Sequence, residues 1–263
     1  MKIAYPILLP LIQGITEFLP VSSTGHLVLA EHFLPGIKPD LFFDTVLHLG
    51  TLLAIIVYFR RLWIKYLTNR QLLINLIICT LPAIVFGFLG EAYIEKTLRS
   101  PLVIAGALTA GAIILWLGDR SNTTNWAYKR TNTPPVVFNN LPPKKALLIG
   151  LFQSLALIPG ASRAGMTIAG GLLVGLKRKE AAEFSFLAAI PVIAGAVTLE
   201  SYQTLSSSTA INWPQALLGL TLAFVFGSIA IHWLIKYLQT KSFKPFVWYR
   251  IILGLLVLAV SII

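Results

Sequence analysis

Six apolar segments, 41–59, 72–89, 102–117, 181–199, 214–234 and 246–263, constrain this chain more than any other feature. A bilayer core of ~30 Å takes about 20 residues of helix to cross, and each segment approaches or meets that length. Only 12% of the 263 residues are charged, against about 25% for a soluble domain. An ordinary cytosolic globule, a disordered tail and a nucleic-acid module are therefore excluded, despite a net charge of +11. The pattern predicts an all-α polytopic membrane protein. The single cysteine, Cys79, lies inside an apolar run, so neither a disulfide framework nor a thiolate metal cluster is expected. The opening segment has a lysine ahead of apolar residues, as a signal peptide does. Pro6, Pro10 and Glu17 interrupt it and no small-x-small site follows, so it is taken as mature protein.

Four further apolar pieces, 3–19, 23–34, 146–158 and 162–176, are broken in pairs by Pro20 and by Pro159-Gly160. A piece of this size rises only about 20 Å, too little to cross, which predicts two re-entrant helix pairs beside six spans, ten helical pieces in all. Sixteen basic residues fall in the loops 60–70, 120–145, 177–179 and 236–250, against four on the opposite set. The basic side is expected in the cytoplasm. Both termini and the mouth of the first re-entrant pair then lie outside. The two halves share one plan in opposite orientations, an inverted-topology repeat. Residues 8–23 resemble 147–162, and a shift of 139 pairs Pro20 with Pro159 and Ser23 with Ser162. One membrane domain, 1–263, is expected, with repeats 1–118 and 146–263 joined by a cytoplasmic linker, 119–145, rich in Asn, Thr and Pro.

Ionisable groups at membrane depth cost about 2.5–3.5 kcal/mol on insertion scales and are functional candidates by default. Here they gather at the two breaks. The first carries Gln13, Glu17, Ser22, Ser23, Thr24 and His26; the second carries Gly160, Ser162, Arg163 and Thr167. Gln13 and Glu17 share one helix face by their i, i+4 spacing, as do Arg163 and Thr167, and Ser23 shares one with His26 by an i, i+3 spacing. Serines at both helix starts can cap free N–H groups where the dipole favours an anion, and an arginine grips phosphate oxygens in pairs. A serine one turn from a histidine is also a nucleophile with a candidate base. Taken singly, each feature has a structural reading: an N-cap for the serines, an ion pair for Glu17 with His26, a snorkelling Arg163. Their joint occurrence at symmetric breaks favours a phosphate site. Asp44 and Glu183 lie near span starts and suit polar contacts between helices, while His48 and Glu31 stay open. Trp63, Trp116, Trp213, Trp233 and Trp248 fit an interfacial belt.

At these two motifs the sequence resembles the undecaprenyl pyrophosphate phosphatase family, the BacA-type bacitracin-resistance proteins of bacteria. The family's (Glu/Gln)xxxGlu motif with Pro-Val-Ser-Ser-Thr-Gly-His matches residues 13–26, and its Pro-Gly-x-Ser-Arg-Ser-x-x-Thr motif matches 159–167, except that Ala164 replaces the second serine. The resemblance implies hydrolysis of undecaprenyl pyrophosphate to the monophosphate and inorganic phosphate, recycling the lipid carrier of peptidoglycan synthesis. It further implies a bacterial plasma-membrane enzyme, dependent on Mg2+ or Ca2+, with its site reached from outside. The expected partners are the polyprenyl pyrophosphate lipid, the bilayer and a second copy in a homodimer, with no nucleic acid. In the resulting scheme Ser23 attacks, His26 or Glu17 takes its proton, and Arg163, Ser162, Thr167, Ser22 and Thr24 hold phosphate. Gln13 and Gly160 support, and Glu17 is the metal ligand. His26 as the nucleophile stays open. The competing reading is a polyprenyl-phosphate flippase, since transporters also use inverted repeats with broken helices.

Overall fold

The computed structural model describes residues 5–33, 41–123, 138–205 and 212–262. The middle of the expected linker, 124–137, lies outside the described residues, as do 1–4 and 263. Among the described residues the secondary structure is eleven α-helices and one short 3-10 turn, with no strand. In chain order the helices are α1 (Tyr5–Phe18), α2 (Ser23–Phe33), α3 (Leu41–Tyr58), α4 (Arg60–Leu67), α5 (Arg70–Thr97), α6 (Pro101–Thr123), α7 (Pro143–Leu155), α8 (Arg163–Leu173), α9 (Arg178–Leu205), α10 (Trp213–Tyr237) and α11 (Lys244–Ile262).

Six of them, α3, α5, α6, α9, α10 and α11, are long and apolar enough to cross a membrane, and they coincide with the six apolar segments. The protein is an all-α, multi-pass membrane protein. Its outer surface carries Phe88 and Leu89, 82% and 77% exposed, side chains that lipid tails solvate as well as a protein core would. Helices α5 and α9 run 28 residues each, about 42 Å at the α-helical rise, and continue through Pro82 and Pro191.

One element was not expected. Residues 60–67 form the short helix α4 rather than a loop, because its pattern is amphipathic: Leu62 and Trp63 pack on the core while Arg60 and Arg61 stay exposed. Basic residues that orient spans can do so from such a helix.

The short helices pair as α1 with α2 and α7 with α8. Helix α10 lies against α1 and α3, α5 against α7 and α9, α6 against α11 and α3 against α9. Exchanging the halves maps these pairs onto one another, but α8 also packs on α6 and α9 to an extent that α2 does not match on α11 and α3. Close approach depends on missing side chains: a Cβ on Gly14 would stand 2.9 Å from the Ala223 carbonyl of α10, and one on Gly150 would stand 2.5 Å from the Cys79 carbonyl of α5. At the far end of the bundle, buried Asp119 of α6 pairs with Arg178 of α9 at 2.5 Å and accepts the Phe243 N–H just before α11. Arg178, one of the basic loop residues, thus also ties α9 to α6.

The two bends show a register that differs from the expected one. Ser22 and Ser162 both have positive φ, 76° and 72°, and each hydroxyl accepts the N–H three residues on, Gly25 at 3.2 Å and Gly165 at 3.0 Å. Equivalence at the bends therefore pairs Ser22 with Ser162, Ser23 with Arg163 and Gln13 with Gln153, a shift of 140. The prolines, which suggested 139, sit one residue apart in the two turns.

Candidate active site

The two bends meet at a cavity of about 160 Å³ whose polar wall includes Glu17, Ser23, Thr24, His48, Gln153 and Arg163. Glu17 is its hub. On α1, one turn before it, Gln13 donates its Nε2 to Glu17 Oε2 at 2.9 Å. Ser23, the first residue of α2, donates its hydroxyl to the same oxygen at 2.6 Å. Arg163, the first residue of α8, donates Nη2 to Oε1 at 2.8 Å. One carboxylate thus joins three elements from both halves of the chain, and Glu17 and Ser23 are only 8% and 9% exposed.

Because the bends are equivalent, the same local geometry delivers a hydroxyl in one half and a guanidinium in the other. Each follows a serine cap in left-handed backbone, and each opens a helix whose first N–H groups have no carbonyl behind them. Arg163 also donates Nη1 to the Ser185 carbonyl of α9 at 3.3 Å. Of its five N–H donors, those two bonds leave three for a ligand in the cavity it lines. Gly160 makes the second bend possible. Its φ is +97°, and a Cβ there would stand 2.6 Å from the Ile104 carbonyl of α6.

Several expected residues fall elsewhere. His26 does not line the cavity, and its ring nitrogens bond to Ser22 and Tyr249 rather than to Ser23. Its Nδ1 lies 2.6 Å from the Ser22 carbonyl, which can only accept, so Nδ1 carries a proton. In the neutral ring Nε2 is then an acceptor, and it lies 2.6 Å from the Tyr249 hydroxyl of α11. Thr167 is fully buried, with its hydroxyl bonded to the Arg163 carbonyl at 2.8 Å and to the Ser185 hydroxyl at 2.5 Å. It braces α8 against α9 instead of facing the cavity. Ser22 and Ser162 do line the cavity, but each hydroxyl oxygen is engaged as a helix cap. Thr24 is exposed on the cavity wall. Ala164 is 1% exposed, so a serine hydroxyl at that place would enter the core.

Three residues enter that sequence reasoning left out or open. His48 of α3 lines the cavity, its Nδ1 held by the Asp44 carbonyl at 2.9 Å; its place among apolar neighbours drew notice without deciding a role. Gln153 lines the cavity too. Its Nε2 donates to the Cys79 carbonyl at 3.1 Å, while its buried Oε1 has no hydrogen-bond partner. Its signal was the recurrence of Gln13 at a shift of 140, which the prolines concealed. Arg250, counted among the cytoplasmic loop charges, is instead fully buried in α11. Among the described residues no cluster of three or more His, Cys, Asp or Glu side chains could hold a metal. Besides the serine and threonine hydroxyls, the cavity wall offers the Glu17 carboxylate and the orphan Gln153 amide oxygen.

The chain matches the family model for bacitracin resistance protein BacA over residues 6–256. It is 39% identical to an undecaprenyl-diphosphatase of Alteromonas mediterranea, over 96% of both chains. It is 40% identical to undecaprenyl-diphosphatase 2 of Stutzerimonas stutzeri, again over 96% of both. Undecaprenyl-diphosphatase 1 of Burkholderia cenocepacia is 40% identical over 97% of this chain and 94% of its own.

Proposed function

The chain belongs to the bacitracin resistance protein BacA family, and from that premise we propose how its undecaprenyl-diphosphatase activity is carried out by Ser23, Glu17 and Arg163. The reaction converts undecaprenyl diphosphate and water to undecaprenyl phosphate and inorganic phosphate. Ser23 Oγ attacks the terminal phosphorus, its proton passes to Glu17, and the bond to the bridging oxygen breaks, so that undecaprenyl phosphate leaves with the bridging electron pair. Glu17 gives that proton to the departing undecaprenyl phosphate and is a carboxylate again; it then takes a proton from the water that attacks the phosphoserine and passes it to Ser23 Oγ as phosphate leaves. Arg163 and the open N–H groups of α2 and α8 offset the charge that grows on the phosphoryl oxygens. The observation that carries this reading is the Glu17 carboxylate, 2.6 Å from the Ser23 hydroxyl and 2.8 Å from Arg163. Between the two proton acceptors open from the sequence, Glu17 is favoured, because both nitrogens of His26 are engaged elsewhere.

The donor set fits a hard divalent cation. Glu17 and the unpartnered Gln153 Oε1 are oxygen ligands of the kind Mg2+ and Ca2+ take, and Mg2+ is commonly held by one or two carboxylates plus substrate phosphates. Such an ion would neutralise charge across the diphosphate. The rest of the cavity wall is apolar, with Ala83 of α5 and Val192 and Ala196 of α9. This side suits the prenyl chain, whose burial contributes about 0.8 kcal/mol per CH₂ without specific contacts. The matched bends, with the helix pairs that correspond when the halves are exchanged, support an inverted-topology repeat. With the basic loops in the cytoplasm, both termini and the cavity mouth face outward.

The test is to trap the intermediate. Acid quenching of protein turning over its lipid substrate, followed by peptide mass mapping, is expected to give an acid-stable, base-labile phosphate on Ser23. An acid-labile phosphate on His26 overturns the assignment.

A further inference from the structure

Resting on the phosphatase reading, we propose that Tyr249 and Arg250 of α11 are positioning residues that set the register between the two bends, and so hold Ser23 in line with Arg163. Arg250 is fully buried, and one guanidinium reaches three parts of the fold. Its Nη1 donates to the Pro20 carbonyl of the first bend at 3.4 Å. Its Nη2 donates to the Gly160 and Ala161 carbonyls of the second bend, at 3.1 and 2.7 Å. Nε and Nη2 also reach the Leu108 and Ala107 carbonyls of α6, at 3.2 and 3.4 Å.

The chemistry explains why the residue is an arginine. Where a helix is broken inside a membrane, the carbonyls of the turn lose their partners and water is not there to replace them. A planar fork of five donors satisfies several at once and fixes their relative directions. None of the ion pairs among the described residues involves Arg250, so its bonds go to backbone. The space for it is also built in: a Cβ on Gly111 would stand 2.0 Å from Nη2 and one on Gly165 would stand 2.6 Å from Nη1.

The neighbouring residue ties the same helix to the nucleophile. Tyr249 donates its hydroxyl to His26 Nε2 at 2.6 Å, with the two rings stacked at 5.7 Å. His26 in turn holds the Ser22 carbonyl, immediately before Ser23. Pro20 and Ser22 on one bend, and Gly160 and Ala161 on the other, are thereby referred to a single rigid helix. His26 gains a role that needs no proton transfer: it relays the position of α11 to the turn that carries Ser23.

The test compares wild type with Arg250→Lys and Tyr249→Phe, measuring kcat, KM and inhibition by orthovanadate, which mimics the five-coordinate phosphorus. A lysine keeps the charge but cannot bridge both bends. A misplacement of about 1 Å costs on the order of 100-fold in rate. Arg250→Lys is therefore expected to lower kcat by about 10- to 100-fold and raise the vanadate Ki by a similar factor, with KM within about threefold. Tyr249→Phe, which removes one hydroxyl from a half-exposed ring, is expected to shift the same pair by about 3- to 10-fold. Loss of folded protein alone lowers apparent kcat and leaves Ki unchanged, so the paired shift separates positioning from stability. If neither variant moves Ki, or if KM rises as much as Ki, the proposal is overturned. Should Arg250→Lys fail to purify as a monodisperse protein, Tyr249→Phe decides alone. If wild type releases no phosphate, the phosphatase reading fails; if wild type turns over and both variants match it, only the register device fails.

Discussion

Glu17 connects more of the site than any other residue, and its bonds assign distinct roles to its neighbours. A buried carboxylate facing a guanidinium stays ionised, and an ionised carboxylate 2.6 Å from a hydroxyl is placed to take its proton. Glu17→Gln keeps the shape and removes the base, so kcat is expected to fall by about 10²- to 10³-fold with little change in KM, read by phosphate release. Arg163→Lys keeps a charge and loses the fork, and is expected to lose about 10²-fold or more in kcat. Arg163→Ala would leave Glu17 buried without its counter-ion, an additional loss of about 3–5 kcal/mol of stability, so the lysine variant is the cleaner measurement. Thr167 separates the expectation from the structure. Its hydroxyl bonds to Ser185 and to backbone, so Thr167→Val should keep turnover within a few-fold while lowering thermal stability by about 1 kcal/mol. The identities of Glu17, Ser23 and Arg163 were legible because charge and hydroxyls are conspicuous in apolar text. What each one touches was not, since His26 lies one turn from Ser23 on the helix and yet turns toward α11.

Among the elements, the bends carry Ser23 and Arg163 to the cavity and the spans hold them. All six spans were legible from hydrophobic length alone, a one-dimensional property. Helix α4 was not, because eight residues of which five are charges or rings resemble a loop until Leu62 and Trp63 find the core. The bend register was misread by one residue for a similar reason. Prolines are prominent in sequence, but the equivalence is set by left-handed serines and their caps, which only backbone geometry displays. Gly160→Ala tests how much the second bend depends on its backbone. Strain at φ +97° and a Cβ 2.6 Å from the Ile104 carbonyl should together lower stability by about 2–4 kcal/mol, seen as a lower unfolding temperature in detergent and loss of turnover.

For the whole molecule, orientation rests on the unequal distribution of lysine and arginine, and burying Arg250 removes one basic residue without changing the balance. With Cys79, the sole cysteine, replaced by alanine, Ser100→Cys between α5 and α6 should react with a membrane-impermeant maleimide in intact cells. Thr240→Cys, between α10 and α11, should react only after the cells are permeabilised. The reverse pattern would invert the proposed topology. An inverted repeat of broken helices also suits a lipid transporter, and chemistry separates the two: a transporter has no use for a serine bonded to a carboxylate that an arginine also holds. The most direct measurement is phosphate release from undecaprenyl diphosphate by purified protein in detergent, with no gradient, comparing wild type with Ser23→Ala. The account predicts turnover by wild type and a loss of at least about 10³-fold in the variant; equal release by both proteins would contradict it.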